Sequence, residues 1–270
     1  MSDYEHLRYE QRGPVTVITI DRPERMNAIG PQTHRELVDA WGHFRADDDA
    51  LVGILTGAGA DAFSAGGDLK AALAGELEID ASPDDGVLGP SRWTDVYKPT
   101  IAAINGVAYA GGMEWACWTD LAIADEHATF GVTCRRWNIG LADGGTQRLT
   151  RILGYRRAIE LIITGRVIDA AEAQRIGLVN EVVPSGTCVE RAVELAESIA
   201  GLPQPALRTD REAAIRGFGM PLAEGLTLEA QCFNRSIADE ETLEGLRRFN
   251  ERDHPDRTEG SAATPGIVRG

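Results

Sequence analysis

Basic charge is scarce in this sequence. Lys and Arg number 27 against 42 Asp and Glu, a formal net charge of −15. No run of Lys or Arg makes a basic face, which argues against nucleic acid or an anionic membrane as a partner. Cysteine is also sparse: Cys117, Cys134, Cys188 and Cys232 lie far apart and never form C-x-x-C. Neither a disulfide framework nor a metal site is expected, and each cysteine reads as a small buried residue. No apolar run approaches the roughly 18 residues of a membrane-spanning helix. The opening MSDYEHLRYEQRG lacks the basic-then-apolar profile of a secretory leader, so the expected compartment is the cytoplasm. G-x-S-x-G, G-x-x-x-x-G-K and H-E-x-x-H are all missing. His6, His34, His43, His127 and His254 lie away from the glycine-rich turns, so a histidine-dependent triad has little support.

The chain is 270 residues long and 43% hydrophobic, enough for one large domain or a domain with an appendage. Val15–Ile20 alternates β-branched residues and predicts a strand. From Pro31, a good first-turn residue, Leu37, Val38, Trp41 and Phe44 follow helical spacing to near Arg45. Leu51–Thr56, Thr100–Ile104 and Leu121–Ala124 are short and apolar, the pattern of strands buried on both faces. Residues 128–132 predict an edge strand and 178–183 a last short strand. Asp169 with Glu172 makes a capping box, and Gly177 a stop. Helices are expected at 149–153, 156–163, 187–200, 205–216, 221–238 and 240–252. Ala71–Lys98 is irregular, and long irregular segments inside a domain are usually functional or mobile. Strands alternating with helices, then helices alone, predict an α/β core over 1–195 and a helical region over 196–270.

Two stretches stand out. Phe63-Ser64-Ala65-Gly66-Gly67-Asp68-Leu69-Lys70 is a glycine turn after an apolar strand and leads into a helix. Thr100–Trp118 repeats the plan, with Gly111-Gly112 followed by Met113-Glu114-Trp115. If both strand ends meet, the Gly67 and Gly111 N–H groups can address one oxygen, which is the chemistry of an oxyanion hole. Two ordinary glycine turns explain the pattern equally well. Gly57-x-Gly59-x-x-Ala62 matches a dinucleotide fingerprint, but Phe63-Ser64-Ala65-Gly66-Gly67 continues the turn instead of opening a helix.

FSAGGDLK (63–70), KPTIAAINGVAYAGGMEWACWTDLAIADEHATFG (98–131) and DGGTQRLTRILG (143–154) resemble the enoyl-CoA hydratase/isomerase, or crotonase, superfamily. DRPERMNAIG (21–30) and LTGRVIDAAEAQRIGLVNEVVP (163–184) fit the same plan in order. The resemblance covers about 14–252. It implies a crotonase-like ββα spiral core with a helical C-terminal trimerisation region, assembled as a homotrimer or a dimer of trimers. It also implies an acyl-CoA thioester substrate, with coenzyme A part of the substrate and no separate cofactor.

Carried over by position, the resemblance makes Gly67 and Gly111 the oxyanion donors and Glu114 the acid/base carboxylate. It puts Cys134 where the family's hydratases carry a second glutamate. Asp143-Gly144-Gly145 resembles the dihydroxynaphthoyl-CoA synthase branch, which leaves Asp143 as acid, base, nucleophile or helix cap. Arg25 and Met26 fall in the loop that meets the adenine and phosphates, and Ala65, Asp68, Leu69 and Lys70 of the 63–70 turn are further implied substrate- or CoA-binding residues. The implied reaction is hydration of a 2-enoyl-CoA. Decarboxylation, thioester hydrolysis or C–C bond chemistry through Asp143, and acyl-CoA binding without catalysis, are the alternatives.

Overall fold

The computed structural model describes residues 4–76 and 85–251. Pro83 and Asp84 of the irregular segment, His254 and the last residue of the helix expected to end at 252 lie outside them. The chain divides into two compact units, residues 1–202 and 203–270.

The first unit opens with a hairpin. β1 (Leu7–Arg12) pairs antiparallel with β2 (Val15–Ile20). α1 (Pro31–Ala46) comes next, with proline in its first turn as expected. A repeat then begins. β3 (Val52–Gly57) and β4 (Ala62–Ser64) lead to α2 (Leu69–Leu73). β5 (Thr100–Ile104) and β6 (Val107–Tyr109) lead to α3 (Gly111–Trp118). β7 (Leu121–Asp125) and β8 (Thr129–Gly131) lead through a 3-10 turn at Thr133–Trp137 to α4 (Gly145–Leu153). Each turn places one strand in each of two sheets and then a helix, which is a ββα spiral. α5 (Tyr155–Thr164), β9 (Val167–Asp169), α6 (Ala170–Arg175), β10 (Glu181–Val183) and α7 (Cys188–Ala200) complete the unit.

The large sheet runs β1-β2-β3-β5-β7-β10 and the small one β4-β6-β8-β9. From β2 to β10 the large sheet is parallel. Its strands are apolar on both faces because both are covered. Leu55, Ala102 and Ile104 face a core with α1 and α3, while Ile54, Ile101 and Ile123 face a core shared with α7. α7 spans the 195/196 position, and the units divide after it, at 202/203. Residues 129–131 are not an edge strand: β8 lies between β6 and β9. β4, β6 and β9 have three residues each, too short to leave a period-2 signal.

The corners between the sheets are tied by two buried amides. Asn27 Nδ2 donates to Ala58 O (2.9 Å) and Ala62 O (2.7 Å), and Asn105 Nδ2 to Gly59 O (2.8 Å). A methyl on Gly57 would fall 2.5 Å from Asn27 Nδ2. Gly57-x-Gly59-x-x-Ala62 is therefore a corner whose last residue begins β4, not a dinucleotide turn. Asp169 caps α6 through the Glu172 N–H at 2.7 Å, as its capping box predicts. All four cysteines are buried, as expected for small buried residues.

The second unit holds α8 (Gln204–Gly217), α9 (Leu222–Ile237) and α10 (Glu240–Glu251). Glu212 on α8 pairs with Arg216 and with Arg235 of α9. Phe218, Leu222, Leu226 and Phe233 are exposed.

Candidate active site

α3 is buried along its whole length, as its apolar sequence on every side requires. Its aromatic face docks on α1. Trp118 lies 4.8 Å from Trp41 and 5.1 Å from Trp115 between ring centroids, edge-on in both pairs. Such pairs add about 0.5–1.5 kcal/mol each beyond burial and fix the helix in place. The only charge α3 carries inward is Glu114, 3% exposed.

The start of α3 is shaped by close contact. Ala110 sits at φ 51°, ψ −116°, a left-handed backbone that costs a non-glycine residue about 1–3 kcal/mol. A methyl on Gly112 would lie 2.0 Å from Ser64 O, and one on Gly111 2.0 Å from Leu88 Cδ1 and 3.2 Å from Gly66 Cα. The turns after β4 and β6 are thus packed directly against each other. The helix ladder begins with Glu114 N–H on Ala110 O, so the Gly111 N–H precedes it. Gly67 is arranged differently. Ile29 bridges it in parallel, donating to Gly66 O (2.8 Å) and accepting from Asp68 N (2.9 Å). In a parallel bridge the central residue turns its own N–H to the opposite side. Neither N–H has a backbone acceptor among the described residues.

Glu114 Oε1 accepts the backbone N–H groups of Asp143 (2.9 Å) and Gly145 (2.8 Å). A methyl on Gly145 would lie 2.7 Å from Glu114 Cγ, so the fit depends on glycine there. Oε2 has no hydrogen bond among the described residues. Burial, and then the Asp143 charge, raise the Glu114 carboxyl to about 7, against the pull of the two N–H groups and Arg148. The group can therefore hold or release a proton near neutrality.

Asp143 does not cap α4, whose N-cap is Gly144 without a side-chain bond. Its Oδ1 instead accepts the Leu88 N–H (3.0 Å) and the Ser91 hydroxyl (2.5 Å). Arg148, four residues into α4, donates to Asp143 O at 2.9 Å. Cys134 is buried in the 3-10 turn beside this group. Burial raises its thiol pKa, and the nearby Glu114 charge adds to that against Arg135. A thiol held neutral does not act as a carboxylate. Arg136 and Trp137 face solvent.

The structure brings the Arg25–Met26 loop to the Ala65–Lys70 turn: Ala65 N–H donates to Met26 O at 2.9 Å. Arg25, Leu69 and Lys70 are exposed and Met26 is 38% exposed. Asp68 is occupied elsewhere. Its Oδ1 caps α2 through Lys70 N (3.2 Å) and Ala71 N (3.3 Å), and its Oδ2 takes Arg22 Nη2 at 3.1 Å. Residues absent from the sequence-based site are Leu88, Ser91, Arg148 and the Gly145 N–H. Arg148 and Gly145 sit inside the DGGTQRL motif, whereas Leu88 and Ser91 carry no sequence signal. Among the described residues no cluster of His, Cys, Asp or Glu forms a metal site, and no helix is long and apolar enough to cross a membrane.

Comparison with known proteins agrees with this architecture. The enoyl-CoA hydratase/isomerase family model matches residues 10–260. The probable enoyl-CoA hydratase of Rhizobium meliloti (strain 1021) is 40% identical over 91% of this chain and 95% of its own length. The short-chain-enoyl-CoA hydratase of Clostridium acetobutylicum is 35% identical over 90% and 94%. The crystal structure of enoyl-CoA hydratase from Bacillus anthracis superposes with a TM-score of 0.84 at 35% identity, covering 92% of this chain and 96% of that one. With its ββα spiral matched over nearly the whole length of such proteins, the chain belongs to the enoyl-CoA hydratase/isomerase family of the crotonase fold.

Proposed function

We propose that this enzyme adds water across the double bond of a 2-enoyl-CoA thioester. The thioester oxygen accepts the Gly67 and Gly111 N–H groups at the positive end of α3. Ionised Glu114 takes a proton from water as the water oxygen bonds to Cβ. The electron pair of the double bond moves onto the thioester oxygen as an enolate. The same carboxyl then returns the proton to Cα, which restores ionised Glu114. One carboxylate completes the cycle, so Cys134 carries no proton. Arg25 and Lys70, both exposed beside the turn, meet the phosphates of coenzyme A. The exposed apolar side chains of the second unit support assembly into a homotrimer or a dimer of trimers, which light scattering tests.

The observation that carries this function is the buried Glu114 carboxylate, with one oxygen fixed by two backbone N–H groups and the other unbonded among the described residues. In Glu114→Gln the fixed oxygen keeps both N–H partners while the proton carrier is lost. Crotonyl-CoA hydration should fall by about 10²–10⁴-fold with thioester binding intact. Full hydration by this variant overturns the assignment.

A further inference from the structure

The segment Gly86–Ser91 is held from several directions at once. Asp143 Oδ1 takes the Leu88 N–H (3.0 Å) and the Ser91 hydroxyl (2.5 Å). His34 Nδ1 takes the Gly89 N–H at 2.9 Å, and Trp115 Nε1 donates to Leu88 O at 2.9 Å. Gly86 N–H closes the loop on Gly89 O at 2.8 Å. Both polar backbone groups of Leu88 are therefore fixed, and its side chain is 4% exposed. Its Cδ1 fills the space that a side chain on Gly111 would take, 2.0 Å from that methyl position. Asp143 also donates its backbone N–H to Glu114, so Leu88 stands on the Glu114 side of the Gly111 turn. On that side the acyl carbons react.

We propose that Asp143 is a positioning residue: its carboxylate clamps the 86–91 segment so that Leu88 walls the acyl side of the site and limits the bulk of the acyl group. The proposal rests on the acyl-CoA assignment and adds the residue that sets its acyl preference. A wall on a loose loop yields to a larger ligand. One bonded at its own N–H and C=O, and at the adjoining Gly89, does not. In a rigid apolar wall one methylene changes preference by about 10–200-fold. Asp143 keeps a second influence through its charge. The groups that act on Glu114 are Asp143 and Arg148, with Cys117 and Cys134 as neutral thiols nearby.

The test measures kcat/KM for linear, 3-branched and aryl 2-enoyl-CoA thioesters, and the affinity of non-reacting butyryl-CoA and benzoyl-CoA by calorimetry. Leu88→Ala should shift both preferences toward the bulkier ligand by about tenfold or more. Ser91→Ala, which removes one clamp bond and leaves the wall residue in place, should shift them the same way by less. Asp143→Asn keeps an oxygen for both donors, so its acyl preference should follow the wild type. Its pH–rate limb should move to lower pH as the negative charge beside Glu114 disappears. Unchanged ligand preference in Leu88→Ala, with native circular dichroism, overturns the wall. Loss of all turnover in Asp143→Asn at every pH, with butyryl-CoA still bound, makes Asp143 a catalytic residue and overturns the clamp. Binding without hydration by the wild type rejects the hydratase assignment alone, and the calorimetry still decides Leu88. If no acyl-CoA binds the wild type, both fall.

Discussion

Glu114 and Asp143 are joined through the main chain of one and the side chain of the other: the Asp143 N–H donates to Glu114 Oε1 at 2.9 Å. Burial raises the Glu114 carboxyl most, and the same residue that steadies it adds to the effect with its negative charge. If ionised Glu114 activates water, kcat/KM for crotonyl-CoA should rise with pH through about 7. A pH–rate profile with its acid limb near 4.5, the ordinary value, contradicts this.

The same shift has a stability cost with a definite sign. The folded state holds the Glu114 proton more tightly than the unfolded chain. This contribution is complete below pH 4.5 and is lost as pH rises through about 7. At 1.36 kcal/mol per pKa unit the loss is about 3 kcal/mol. Glu114→Gln cannot ionise, so it should match the wild type near pH 4 and melt higher near pH 8.5. Differential scanning calorimetry at the two values decides it.

Gly111→Ala should lower kcat by about 10²-fold, the usual effect of disturbing one oxyanion donor. The added methyl meets Leu88 Cδ1, so Leu88→Ala in the same chain should recover part of the loss. Strict additivity in a double-mutant cycle excludes that contact as the cause.

Asp68→Ala removes the α2 cap and the buried partner of Arg22. A lost cap typically costs about 0.5–2 kcal/mol. Urea denaturation should show a loss of that size, while KM for a CoA thioester changes less than threefold. A larger rise in KM with normal stability returns Asp68 to the binding site.

Cys134→Ala should leave hydration within about threefold, since a neutral thiol moves no proton at pH 7. A loss of about 10²-fold or more identifies Cys134 as a proton carrier.

The large-sheet strands were legible because parallel strands covered on both faces leave continuous apolar runs, as at Thr100–Ile104. The glycine turns at 66–67 and 111–112 were legible for a chemical reason, since a side chain at either one of 111 and 112 meets another atom at 2.0 Å. Of the three-residue strands, β8 and β10 lie in the longer β-prone stretches 128–132 and 178–183 and were legible, whereas β4, β6 and β9 were not, because their hydrogen bonds come from register with neighbours and three residues show no period. The clamp was hidden for a different reason. Asp143 lies 52 residues from Ser91, and nothing local at Ser91 marks its partner. Asp68 shows the reverse case: its place in the motif pointed to a ligand, and its bonds go to α2 and Arg22.

The ββα repeat has a metric consequence. Gly67 and Gly111 come after β4 and β6, which are adjacent parallel strands of one sheet. The two turns are therefore brought side by side by neighbouring strands, and a methyl on Gly66 would lie 2.6 Å from Gly111 N. The proposed oxyanion hole is therefore framed by the sheet, while α3, the 133–137 turn and the 86–91 segment supply the side chains around it. Chemistry can diverge at the rim without loosening the part that holds the charge.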